Sequence, residues 1–154
     1  MKQTKTSKIA LVSILTALSV ALGYVVKIPT ATGILTFLDA GIFFTAFYFG
    51  RREGSIVGGL GGFLIDLISG YPHWMIFSLI FHGSQGYFAG FKGKWQWLGL
   101  VLASLVMVAG YAFATAWMKG WGQALADVPH NLVQNFVGML VGFLLCQSIT
   151  KIRK

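Results

Sequence analysis

The segment 51–90, RREGSIVGGLGGFLIDLISGYPHWMIFSLIFHGSQGYFAG, constrains the chain more than any other. Gly54, Gly58 and Gly62 stand four apart, Asp66 takes the next place in the row, and Gly70 follows it. Residues four apart share one face of a helix, so this face is nearly bare backbone with a carboxylate toward its far end. In water each such glycine costs a helix about 1 kcal/mol relative to alanine. The row suits a lipid environment, where small residues let helices approach closely. The turn Gly70–Tyr71–Pro72 leads into a second apolar helix, on which Trp74, Ser78, His82 and Gln85 fall along one side. A polar stripe within an apolar helix is expensive in a bilayer and marks function.

Composition agrees. Of 154 residues, 56% are hydrophobic and only 10% are charged, whereas soluble domains carry about 25% charged residues. The chain is read as an integral membrane protein. At roughly 20 residues per span, five or six spans with short loops fit one bundle, a single domain over residues 1–154. The single Cys146 excludes an internal disulfide and offers no zinc cluster. A net charge of +8 would suggest nucleic acid in a soluble protein. Here the cations sit at helix ends, which membrane orientation explains better. The N-terminal apolar run is followed by Lys27–Ile28–Pro29 without a convincing small-residue cleavage site, and reads as a retained first helix.

The expected fold is all-α, an integral membrane six-helix bundle. Helix 1 covers about 7–26, with Ala10, Ser13, Ala17 and Ala21 as a small-residue stripe suited either to internal packing or to a docking partner. Residues 27–36 form a loop or partly extended connection, long enough to serve as a lid. Helix 2 covers 37–49. Asp39 in its first turn fits the helix dipole, or alternatively a ligand or loop-latching role. Helix 3 covers 52–69 and helix 4 covers 73–91. Asp66 is expected near a membrane surface, satisfied by water or a neighbouring helix and anchoring the turn at Gly70–Pro72. Helix 5 covers 97–118, with Met107, Tyr111, Thr115 and Met118 on one face. Trp95, Trp97, Trp117 and Trp121 suit interfacial belts. Residues 120–129 read as a polar connection carrying Asp127, and helix 6 as beginning near Pro129, a residue suited to a helix start, and ending near Thr150. Asn131, Asn135, Gly138 and Gly142 then share one face, polar at one end and small at the other.

Six spans place both termini on one side. That side carries Lys2, Lys5, Lys8, Arg51, Arg52, Lys92, Lys94, Lys151, Arg153 and Lys154, against Lys27 and Lys119 on the other, ten of twelve cations. The positive-inside rule assigns the ten to the cytoplasm. The same map gathers hydrogen-bonding and aromatic side chains in the outer half, above an apolar, glycine-rich inner half. That arrangement suits a receptor pocket, since a channel needs polar groups along its full length.

On these features the chain resembles the substrate-binding (S) components of energy-coupling factor (ECF) transporters. The resemblance covers essentially the whole chain. It is most specific in FGRREGSIVGGLGGFLIDLISGYPHW and FHGSQGYFAG, which are similar to the branch containing hydroxymethylpyrimidine and pyridoxine carriers. Arg51–Arg52 stands where many relatives have Gly-Pro. The resemblance implies capture of a small water-soluble vitamin outside a prokaryotic cell and delivery inward by reorientation. It implies a transmembrane coupling protein and two ATPase subunits as partners, with ATP used by those subunits and no cofactor in this chain. It points to Trp74, His82, Gln85, Tyr111, Asn131 and Asn135 as pocket residues, to which the polar stripes add Ser78 and Thr115. Ser13, Ala17 and Ala21 carry the docking face, and residues 27–36 the lid.

A flat polar ligand suits aromatic rings for stacking and amide and imidazole groups for its ring nitrogen and hydroxyls. With no basic residue placed in the pocket, pyridoxine or hydroxymethylpyrimidine fits better than pantothenate. An intramembrane enzyme using Asp66 and His82 is the competing reading. The sequence lacks GxSxG, HExxH and paired-carboxylate motifs, and it also lacks a phosphate-binding GxxxxGK[ST] loop. A proton-coupled exporter would need a carboxylate deep in a helix, whereas the four acids map to helix ends or loops.

Overall fold

The computed structural model describes residues 4–30 and 33–152. Among them are six α-helices: α1 (Lys5–Val25), α2 (Leu38–Phe49), α3 (Arg51–Ser69), α4 (Met75–Ala89), α5 (Gln96–Lys119) and α6 (Trp121–Ile152). A single 3-10 turn, Gly93–Trp95, precedes α5. Helices α1, α5 (with the 3-10 turn before it) and α6 are long and apolar enough to cross a membrane.

α2 lies at the centre and packs against α1, α3, α4 and α6. Leu38, Ala40, Ile42, Phe43 and Ala46 are all fully buried, and so are its two polar residues near the core, Asp39 and Thr45. α1 touches only α2 and α3 extensively. Its inner face is Thr16, Ser19 and Gly23, while Ser13, Ala17 and Ala21 face outward. The small-residue stripe is therefore not spent on packing within the chain.

The glycine row does what its spacing implies. A Cβ on Gly58 would collide with the carbonyl oxygen of His82. One on Gly54 would lie 2.7 Å from the Gly86 oxygen, and one on Gly62 2.7 Å from the Ser78 oxygen. α3 and α4 thus run antiparallel with backbones in contact at three successive turns. Gly138 and Gly142 seat α6 on α2 in the same way, against Asp39 and Phe43. Gly70 serves differently. It ends α3 at φ 86°, and a Cβ there would meet nothing within 4 Å, so it is there for the left-handed turn and not for packing.

Residues 27–36 are more ordered than a loop. Lys27–Pro29 and Ile34–Thr36 pair as an antiparallel hairpin, β1 and β2, with Lys27 opposite Thr36. Ala31 and Thr32 lie outside the described residues. Aliphatic and β-branched side chains at Ile28, Ile34, Leu35 and Thr36 favour the extended form, and Phe37 N–H bonds back to the Val26 carbonyl at 3.1 Å to close the base.

The beginning of α6 corrects the sequence reading. The helix starts at Trp121, not near Pro129, and residues 121–129 are helical and not a connection. Pro129 lies inside the helix, where it lacks the N–H that would bond the Leu125 carbonyl. Asp127, expected in a loop, is consequently a buried residue on a helix.

Contacts between helices fix their directions, and these bring Lys5, Lys8, Arg51, Arg52, Lys92, Lys94 and Lys151 to one end and Lys27 and Lys119 to the other. At about 1.5 Å per residue, α2 is about 18 Å long and α4 about 22 Å, against about 30 Å of hydrocarbon. Both helices start short of the Lys27 end, and the hairpin fills the depth they leave.

Candidate functional site

The cavity beneath the hairpin follows from those two short helices. Thr30, Gly33, Ile34, Leu35 and Thr36 form its roof. Ile65 and Asp66 come from α3, Trp74 and His82 from the α4 region, Met107, Tyr111 and Thr115 from α5, and Asp127, His130, Asn131 and Gln134 from α6. Its free volume is about 50 Å³, room for a few waters.

One wall is aromatic. Trp74 and Tyr111 lie 5.6 Å apart between ring centroids, Tyr111 lies 5.8 Å from His82, and Phe81 meets Tyr111 edge-on at 5.1 Å. A Cβ on Gly33 would sit 3.6 Å from the indole nitrogen of Trp74, so the roof closes directly on this wall.

Behind the wall lies a buried polar network. Asp39, fully buried, accepts from Gln85 Nε2 at 3.1 Å and from Gln134 Nε2 at 3.3 Å, and stands 3.3 Å from His82 Nδ1. Gln85 Nε2 also donates to Asn135 Oδ1 at 3.0 Å, and Asn135 Nδ2 donates to Ser104 Oγ at 2.7 Å. Because the Gln85 amide nitrogen is committed to Asp39 and Asn135, its Oε1 must accept from His82 Nδ1, at 3.0 Å. The Gln85 acceptor at Nδ1, with the Asp39 carboxyl also close, makes it the protonated nitrogen and leaves Nε2 as the ring nitrogen outside the network. Gln134 Oε1 accepts from the backbone N–H of Thr36 at 2.8 Å. A continuous line of hydrogen bonds therefore runs from the hairpin through Gln134, Asp39 and Gln85 to His82. Asp39 stands in the first turn of α2, where the helix dipole favours it, and it is also tied to the hairpin through Gln134.

Five of the eight predicted pocket residues line the cavity: Trp74, His82, Tyr111, Thr115 and Asn131. Ser78, Gln85 and Asn135 stand one layer back. Ser78 is hydrogen-bonded to the Tyr111 hydroxyl, and the other two belong to the Asp39 network. The sequence reading missed Asp127, His130 and Gln134 from α6 as cavity walls. The stretch Gln123–Ala124–Leu125–Ala126 before Asp127 is rich in strong helix formers, a cue that would have placed these residues on one helix. Trp95, Trp97, Trp117 and Trp121 are exposed, as interfacial residues should be. Among the described residues, no Lys or Arg lines the cavity, and no group of three or more His, Cys, Asp or Glu side chains is placed to hold a metal ion.

Similar proteins agree with this geometry. The family profile described as ECF-type riboflavin transporter, S component, matches residues 3–151. The chain is 44% identical over 147 residues to the thiamine precursor transporter HmpT of Lactococcus lactis subsp. cremoris (strain MG1363), covering 94% of this chain and 88% of that protein. It is 37% identical over 123 residues to an uncharacterised protein of Pyrococcus woesei, covering 76% of this chain and 82% of that one. A solved S component of a bacterial ECF transporter superposes with a TM-score of 0.76 at 21% identity, over 98% of this chain and 99% of its own, and so shares the fold. From a glycine-row helix pair, a cavity under a hairpin and a profile spanning nearly the whole sequence, one assignment follows: this chain belongs to the S-component family of ECF-type vitamin transporters.

Proposed function

We propose that this S component binds hydroxymethylpyrimidine in the cavity beneath the hairpin, from outside a prokaryotic cell, and delivers it inward with a transmembrane coupling protein and two ATPase subunits. The observation that carries the reading is the lining: an aromatic wall of Trp74, Tyr111 and His82, neutral hydrogen-bonding groups at Thr115 and Asn131, acidic groups at Asp66 and Asp127, and no Lys or Arg among the described residues. Flat heteroaromatic rings stack on such walls. A phosphorylated or carboxylate ligand would find no counter-ion, which disfavours pantothenate. The 44% identity to a thiamine precursor transporter supports the same ligand.

The riboflavin in the family profile's description provides the second reading. The cavity of about 50 Å³ must open for either ligand, and the 44% identity to a thiamine precursor transporter favours the smaller one. Pyridoxine is close in size to hydroxymethylpyrimidine and is the alternative ligand of the same class.

Both termini lie in the cytoplasm in this reading, because the cation-rich end of the bundle is the inner one. The hairpin end then faces outward, and the hairpin acts as the lid.

Calorimetric titration of the purified chain tests the ligand. Hydroxymethylpyrimidine is expected to bind one to one, and His82→Ala and Asn131→Ala are each expected to weaken it about tenfold, the loss of one hydrogen bond of about 1.4 kcal/mol. Tight riboflavin binding with no response to hydroxymethylpyrimidine would overturn the assignment.

The outward stripe Ser13, Ala17 and Ala21 supports a docking role for α1, with Ile14 and Leu18 beside it also exposed. Ala17→Trp is expected to leave ligand affinity unchanged while abolishing co-purification with the coupling protein. Normal co-purification would exclude α1 as the docking face.

A further inference from the structure

The glycine row of α3 ends at the cavity, and it ends on a charge. Asp66 stands one turn beyond Gly62, is only 6% exposed, and lines the cavity with Trp74, His82 and Tyr111. Its Oδ2 is buried with no hydrogen-bond partner. The hydroxyls nearby are already committed. Ser78 is hydrogen-bonded to the Asp66 carboxylate and to the Tyr111 hydroxyl. A carboxylate only accepts, so Ser78 donates to Asp66 and Tyr111 must donate to Ser78. Neither hydroxyl has a second hydrogen for Oδ2. A buried acceptor left without a partner is costly, and such groups in a native structure call for an explanation.

The sequence reading gave this carboxylate to the neighbouring turn. The turn does not use the side chain: Tyr71 N–H bonds the backbone carbonyl of Asp66 at 2.8 Å, and Gly70 caps the helix through backbone groups alone. The free oxygen remains for whatever enters the cavity.

We infer that Asp66 Oδ2 accepts a hydrogen bond from an amino group on the ligand's ring, and that this contact selects aminated heteroaromatic rings over counterparts lacking the amino group. The inference rests on the cavity being the ligand site, as proposed above. It assigns the selective contact to a residue that the polar stripe of α4 does not include. A site built to bond an N–H rejects the analogue without it far more strongly than an apolar pocket rejects a missing methylene, because its own polar atom is then left unpaired.

The test compares 4-amino-5-hydroxymethyl-2-methylpyrimidine with 5-hydroxymethyl-2-methylpyrimidine, which lacks the amino group, by calorimetry on the wild-type chain and on Asp66→Ala. The wild type is expected to prefer the aminated ring by at least 100-fold. In Asp66→Ala the preference is expected to fall below about fivefold, through weaker binding of the aminated compound. The thermal midpoint of ligand-free Asp66→Ala is expected to stay within a few degrees of wild type, since removing the unpaired acceptor offsets the bond lost from Ser78. Equal affinity of the wild type for both compounds overturns the inference without any variant, as does an undiminished preference in Asp66→Ala. Failure of the wild type to bind either compound overturns the underlying ligand assignment instead.

Discussion

Gly58→Leu is expected to abolish the folded, monodisperse protein in detergent. The position sits where α3 crosses α4, and even a single Cβ there would collide with the His82 carbonyl oxygen and press on its carbon and on Ile42. The obstacle is backbone, which cannot swing aside as a side chain can, so the two helices must separate along their whole contact. Overpacking of a rigid core costs about 1–3 kcal/mol and more where relaxation is blocked. Parting the helices would also open the seam that holds Ser78 and His82 beside Asp66. Gly122→Leu is the matching control. Gly122 lies in α6 with nothing within 4 Å of its would-be Cβ, and leaving glycine in a helix gains up to about 1 kcal/mol. Size-exclusion profiles and thermal unfolding of the two variants should therefore diverge, with Gly58→Leu aggregated and Gly122→Leu at or above wild type. A well-folded Gly58→Leu would show that the backbone contact between α3 and α4 does not hold the bundle.

Asp39→Ala has the second-largest expected effect. The substitution leaves Gln85 Nε2, Gln134 Nε2 and His82 Nδ1 without the acceptor they share. Leaving a buried donor without its acceptor costs about 1–3 kcal/mol, and three donors lose one here. The damage has a direction as well as a size. Gln134 loses its anchor, and with it the hairpin loses the bond from Thr36. Hydrogen exchange at the Thr36 amide is expected to accelerate more than exchange in α3, along with a lower thermal midpoint. Asp39→Asn keeps one acceptor oxygen and should fall between the two. An Asp39→Ala protein that melts like wild type, with Thr36 still protected, would remove the network from any role in closing the roof.

The glycine row, the polar stripe of α4 and the small outer face of α1 were all legible because each is a spacing on one helix. So was the aromatic and amide character of the cavity, since Trp74, His82, Tyr111, Thr115 and Asn131 project from helices whose periodicity is plain. What escaped depended on distance in the chain or on a local exception. Asp39 and Gln134 are 95 residues apart in sequence and meet only when α6 lies along α2. Nothing in a single helix announces that pairing. Pro129 reads as a helix start, yet the helix continues through it, as neighbouring packing permits in a membrane bundle. That one residue concealed two turns of α6 and the placement of Asp127. The hairpin escaped because six paired residues in two three-residue strands give too short an alternation to separate from a loop. Asp66 was visible as a member of the row. Its unpaired oxygen was not, because partnership is a property of the fold.

The proposed ligand is a single small ring, and the small molecule that the protein retains tests this most directly. The chain is purified from cells supplied with both hydroxymethylpyrimidine and riboflavin, and the released compound is weighed by mass spectrometry. The expected result is an aminopyrimidine at close to one per chain. A flavin at that stoichiometry would contradict it.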